Sequence, residues 1–323
     1  MQCPQRCAKT RVADMGSSAR ILLAVLTTGL TAACSPNEAE IDPAVYTANI
    51  EEWRTQHMQR LKGPNGYLNL AGLFWLREGS STLGSAPDSD IVLPATAAPR
   101  VGELQLTETG IVLTVERGID VRYEEIPVRS ILIADDTTKH PVTITHGSLA
   151  WTVIKRDNRY ALRLRDYEHP AIEAFPPIEY YPIDPAYRVT AILRKFAQPK
   201  ILNVDTVIEG LGWMPESPGT VVFEIEGKSH ELEAYASGDE LFFVFGDQTS
   251  GRETYPAGRF LYADLPEDGG STILDFNKAY NPPCAFNDFA TCPVAAPQNR
   301  LATRIEAGEK FDPNVHSTPD TVH

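Results

Sequence analysis

A mainly β protein with one N-terminal helix is the architecture this sequence predicts, and three observations point to it. Short segments with apolar residues at alternate positions fill most of the chain, and clusters rich in Pro, Gly, Asp and Ser punctuate them. A single stretch carries a sustained apolar spacing of three and four residues. The length of 323 residues, with 42% hydrophobic content, is enough for two packed β domains.

The first segment belongs to targeting. "ARILLAVLTTGLTAAC" places Arg20 before an apolar run and small residues before Cys34, the layout of a secretory signal too short to span a bilayer. It resembles a bacterial lipobox, which implies a lipid on Cys34 and a site on the periplasmic side of the cell envelope. Thr31 stands where that motif has leucine, so a plain cleaved signal with an incidental cysteine is the alternative. Met15 is a second candidate start. Residues 1–33 are therefore assigned to the signal and 34–43 to a polar tether.

In 44–61, "AVYTANIEEWRTQHMQRL", Tyr46, Ile50, Trp53, His57 and Leu61 fall on one helical face. Asp42 and Pro43 supply a helix cap and first position, and "GPNG" supplies the stop. "YLNLAGLFWL" then begins the strands. "RVGELQLTETGIVLTVE" is a hairpin around "TETG", and "GTVVFEIEGKSHELEAYA" is a second with Gly227 and Lys228 as its turn. "ELFFVFGD" is apolar on both faces and is expected to be buried on both. "FPPIEYYPIDP" reads as an extended connector into the strand "YRVTAIL".

The segment "STLGSAPDSDIVLP" resembles the start of a forkhead-associated (FHA) domain, which implies a β-sandwich in the N-terminal half. FHA domains place an arginine after the glycine to hold phosphothreonine. Here Ser85 follows Gly84, so the resemblance extends to the fold and not to phosphopeptide binding. A longer resemblance runs from about residue 51 to 309. "GSAPDSDIVLP", "FGDQTSGRETYPAGRFLYADLP" and "DFNKAYNPPCAFNDFATCPVAAPQNRL", in that order, are similar to the bacterial domain of unknown function 1684 family. It implies a compact two-part β protein; the chain is expected to divide into a helix and FHA-like sandwich over 44–145, a β-barrel-like antiparallel domain over 146–315, and a tail over 316–323.

Charge and motifs exclude several functions. The formal charge is −14 and Lys/Arg runs never exceed two residues, which argues against a nucleic-acid partner. The spacings of zinc proteases, serine hydrolases, phosphate-binding loops and Cys-x-x-Cys redox sites are missing, and no cofactor or metal motif is present. The histidines His57, His140, His146, His169, His230 and His316 form no short-spaced ligand pair beyond the loose His140 and His146.

Three segments still gather chemistry. The loop "DQTSGRETYPAG" leaves a buried strand with Asp247, Thr249, Ser250, Arg252, Glu253, Thr254 and Tyr255 and leads to Arg259; it reads equally as a site on a rigid scaffold and as turn formers. In "STILDFNKAYNPPC", a strand reaching Asn277 would place Asp275 and Asn277 on one face and Lys278 and Tyr280 on the other. Such an acid–amide pair serves a small ligand or fastens the following Pro-Pro turn, and fastening is the commoner use. Arg163 and Arg165 share a strand face that could take an anion or simply meet solvent. Once Cys34 is set aside, Cys284 and Cys292 make one pair in an oxidising compartment, expected as a disulfide worth about 2–3 kcal/mol.

Two functions follow as expectations. One is a lipid-anchored envelope protein that binds a small polar molecule or an envelope partner through its C-terminal domain, touching the membrane by the anchor alone. Its binding candidates are Arg163, Arg165, Arg259, Asp275, Asn277, Tyr280 and Asn281. The other is a hydrolase-like enzyme in the same domain, drawing on Asp247, Ser250, Glu253, Tyr255, Asp275, Lys278 and Cys284.

Overall fold

Alternation in the first strands produces two sheets that share one core. The structure, a computed structural model, describes residues 42–267 and 270–315. The signal segment, Cys34, most of the tether and the tail lie outside the described residues. Helix α1 (Pro43–Lys62) opens with the Asp42 side chain accepting from the amide N–H of Ala44 and of Val45, and it buries Tyr46, Ile50, His57 and Leu61. The helical face expected from the spacing is the one that packs.

Eleven strands follow: β1 (Leu70–Trp75), β2 (Gly79–Gly84), β3 (Ile91–Val92), β4 (Gly102–Thr107), β5 (Gly110–Val115), β6 (Arg122–Tyr123), β7 (Ile126–Pro127), β8 (Ser130–Ile133), β9 (Thr143–His146), β10 (Leu149–Arg156) and β11 (Arg159–Asp166). They form a five-stranded sheet, β3-β2-β4-β5-β8, and a six-stranded sheet, β1-β11-β10-β9-β6-β7. Leu83, Leu104 and Leu113 from the first meet Ile144, Trp151 and Leu162 from the second in one apolar cluster. This is the expected sandwich. Its extent differs from the expectation, because the 145/146 boundary falls inside β9, which pairs with β10, and β11 in turn holds β1. The sandwich therefore runs on to Asp166.

After a short helix, α2 (Ala171–Ala174), and the extended connector come β12 (Arg188–Ile201), β13 (Val204–Asp205), β14 (Gly212–Trp213), β15 (Glu216–Ile225), β16 (Lys228–Ser237), β17 (Glu240–Phe245), β18 (Arg259–Asp264) and β19 (Ser271–Asp275). Six of them form an antiparallel sheet in the order β18-β17-β16-β15-β12-β19. The Thr272 hydroxyl donates to the Asp264 carbonyl at 2.8 Å, so the two edges approach and the sheet is nearly a closed barrel. Phe223, Leu232, Phe243, Leu261 and Leu274 fill its inside. Phe242, Val244 and Phe260 cover its outer face together with Cys284 and Cys292. β17 is thus buried on both faces, as its unbroken apolar run implied.

Two local readings change. The β15–β16 turn is Glu226-Gly227, both at positive φ, with Ile225 opposite Lys228, one residue earlier than expected. β19 stops at Asp275 and a 3-10 turn over Phe276–Lys278 follows, because the Asp275 side chain accepts from the Asn277 N–H and bends the chain out of the sheet.

Candidate functional site

Asp275 and Asn277 meet after all, through that turn and not along a strand. The Tyr46 hydroxyl on α1 donates to Asp275 Oδ1 at 2.8 Å, and Asn277 Nδ2 donates to the Tyr46 oxygen at 2.8 Å and to the Asp184 carbonyl at 2.8 Å. Asn277 Oδ1 accepts from the Asp184 N–H at 3.0 Å, so the amide is spent at both ends. Burial and the neighbouring Asp275 carboxylate push the Tyr46 hydroxyl well above its ordinary range, which keeps it a donor. Asn277 is a fastener of α1 and the connector, with no donor left over for a ligand.

The Asp247 loop is fastened in the same way. Asp247 Oδ1 accepts from Thr249, and Oδ2 accepts from Arg259 Nη2 at 3.0 Å and from the Ile305 N–H at 2.8 Å. Arg259 is 1% exposed and also donates to the carbonyls of Ile305, Ala307 and Glu309. It pegs the C-terminal segment onto the barrel, where a ligand has no access. Ser250 Oγ accepts from the Asp247 N–H, Thr249 and Thr254 share a hydroxyl bond, and Tyr255 donates to the Cys284 carbonyl. Glu253 bonds Arg304 and Tyr181 at the surface. Donors from Arg304 and then Tyr181 hold its carboxyl below the usual range.

Cys284 and Cys292 are joined in a disulfide, with Cα atoms 6.2 Å apart, which removes Cys284 as a nucleophile. Asn281 donates from its backbone to Glu309 and from its side chain to the Lys310 carbonyl. Arg165 donates to the Gly66 carbonyl and, at 2.5 Å, to Asn69 Oδ1, so it steadies the 63–69 loop. Its strand neighbour Arg163 is partly buried, and desolvation brings its guanidinium down to about 10. Neither arginine lines the cavity described next.

A cavity of about 870 Å³ lies where α1 and the 63–67 loop meet the outer face of the barrel. α1 contributes Trp53, His57 and Arg60, the loop contributes Tyr67, β12 contributes Arg188, and the barrel edge contributes Glu240, Tyr262 and Asp264. From the expected set, Asp275, Lys278 and Tyr280 reach it. Tyr262 and Tyr280 stack with centroids 6.5 Å apart, and Trp53 stacks on His57 at 5.0 Å. Burial, followed by the neighbouring tyrosines, raises the Tyr280 hydroxyl well above its ordinary range, so it too stays protonated.

The loop wall is held in advance of any ligand. Asn69 donates to the carbonyls of Gly63 and Pro64, and Asn287 donates to the Tyr67 carbonyl. At Gly66 a Cβ would stand 2.0 Å from the Leu61 carbonyl oxygen, so only glycine permits this close return onto the helix.

Behind the cavity wall, His57 Nε2 lies 3.1 Å from Glu309 Oε1, and Glu309 is 0% exposed. Glu309 also accepts from the Asn281 N–H at 2.7 Å and from the Tyr180 hydroxyl at 3.2 Å. No sequence pattern marks this pair, because 252 residues separate its members and neither sits in a recognisable spacing. Trp53 and His57 did carry a signal, an aromatic and an imidazole four apart on the buried helical face.

Comparison with known proteins adds structure without an activity. No curated protein matches. A solution NMR structure of an uncharacterized protein from Haloarcula marismortui is 31% identical over 43% of this chain and 79% of that one, with a TM-score of 0.37. An FHA domain studied for phosphothreonine-dependent interactions is 20% identical over 29% of this chain and 92% of its own, with a TM-score of 0.21. A crystal structure of another FHA domain, complexed with an intracellular domain, is 19% identical over 29% of this chain and 97% of its own, also with a TM-score of 0.21. The family match is shorter than the 51–309 resemblance and leaves "GSAPDSDIVLP" outside it: residues 173–310, the connector, the barrel and the Glu309 segment, match the family described as Protein of unknown function (DUF1684).

Proposed function

We propose that this protein binds a small polar ligand in the cavity between α1, the 63–67 loop and the barrel, and does so at the periplasmic face of the envelope from a lipid on Cys34. The cavity carries the reading. Its volume suits a small molecule, its wall offers Trp53, Tyr67, Tyr262 and Tyr280 as flat apolar surface, and charged groups of both signs surround them. A screen of small polar compounds by thermal shift tests it. A true ligand at a hundred times its Kd stabilises by about 2.7 kcal/mol, and Trp53→Ala should weaken that response at least tenfold in apparent Kd. A response that survives Trp53→Ala unchanged would place binding elsewhere. The mass of the mature N-terminus tests the anchor, and any start other than lipidated Cys34 removes it.

The His57–Glu309 pair supports a second reading, an acid–base enzyme in the same cavity. A buried carboxylate oxygen 3.1 Å from an imidazole nitrogen is a pairing that acid–base catalysis uses. On that reading His57→Asn abolishes turnover of a bound compound while its stabilising effect on the fold persists.

A further inference from the structure

Strand register orders the charges that the barrel contributes to the cavity, and these are segregated along its length. Glu240 and Asp264 are direct partners across β17 and β18, both are exposed, and both line the cavity. Like charges in facing positions repel, and neither makes an ion pair among the described residues. Tyr262 lies two residues before Asp264 on the same face of β18, about 7 Å along the strand. It stacks on Tyr280. Two residues before Tyr280 comes Lys278, a half-buried ammonium on the cavity wall with no ion pair among the described residues. Asp275, close to it, already accepts from Tyr46 and Asn277. The order is two acids, two stacked rings, one ammonium.

We propose that the cavity takes a dipolar molecule, with a cationic group between Glu240 and Asp264, a flat middle against Tyr262 and Tyr280, and an anionic group at Lys278. This rests on the cavity being the ligand site. A cation at the acid pair relieves a repulsion that the empty protein bears, and an anion at the other end supplies the partner that Lys278 lacks. A simple anion is disfavoured by the formal charge of −14, and a simple cation leaves Lys278 unmatched. Part of the spacing follows from the fold: Thr272 bonds the Asp264 carbonyl, and Asp275, three residues further along β19, is about 10 Å from it, with Lys278 in the turn that follows.

Calorimetric titration of the full chain with 4-(aminomethyl)benzoate, and with benzylamine, benzoate and benzyl alcohol separately, tests the inference. The dipolar probe is expected to bind at least tenfold more tightly than any of the other three. The Glu240→Gln/Asp264→Asn double variant should bind it no better than wild type binds benzoate, and Lys278→Met no better than wild type binds benzylamine. Lys278→Met should keep the wild-type melting temperature, and the double variant should match or exceed it. Benzyl alcohol, benzoate or benzylamine binding as tightly as the dipolar probe would overturn the charge order and leave the aromatic cavity standing as a ligand site. Unchanged binding by the double variant would do the same. Absence of binding by all four probes would overturn the dipolar charge order, while the thermal-shift screen and its Trp53→Ala control decide separately whether the cavity is a ligand site.

Discussion

Arg259 and Asp247 are 1% and 0% exposed, and truncating either strands a charge in the interior. Arg259→Met should cost about 3–5 kcal/mol in urea unfolding, since the C-terminal carbonyls lose their donors as well. An unchanged midpoint would show that the C-terminal segment is held by other contacts. Arg163 makes the opposite case. Its Nε is buried without a partner, and its guanidinium is destabilised by burial. Arg163→Met should therefore raise stability by about 1–2 kcal/mol, and a loss of that size would mean the charge is better served than its geometry shows. Glu253 sets an acid-side dependence. Its folded pKa lies below the ordinary 4.5, so its contribution is present above that value and is lost as pH falls through the folded value. Glu253→Gln should flatten the stability profile below about pH 4.5, measured as Tm against pH.

At the scale of elements, α1 shows what local pattern can and cannot convey. Cap, first proline, inward face and stop were all legible, because each is a short-range property of the chain. Asp42→Ala should cost about 1 kcal/mol by denaturant unfolding through loss of that cap. What α1 packs against was not legible. Tyr46 finds Asp275 across 229 positions, a partner set by barrel closure. The end of β19 misled for a related reason. Period-two alternation continues through Asn277, while the Asp275 side chain competes for the backbone and turns it.

At the scale of the molecule, the disulfide and the cavity both depend on how the C-terminal segment returns over the barrel. The loop closed by Cys284 and Cys292 is short, so Cys284→Ser/Cys292→Ser should cost about 2–3 kcal/mol on unfolding under oxidising conditions. The pair was legible from the cysteine count and the oxidising compartment that the sequence leads one to expect. The candidate residues divided less predictably. Asp247, Ser250, Arg259, Asn277 and Asn281 became fasteners, whereas Asp275, Lys278 and Tyr280 reached the cavity.

The sequence by itself determined the mainly β class, the helix and its face, the two hairpins, the doubly buried β17 and the cysteine pair, since all of these follow from periodicity, turn chemistry and composition. Only the tertiary structure decided which polar side chains are spent on the backbone and which face open space. That division depends on contacts between residues far apart in the chain: Tyr46 with Asp275, Arg259 with the 305–309 carbonyls, and His57 with Glu309.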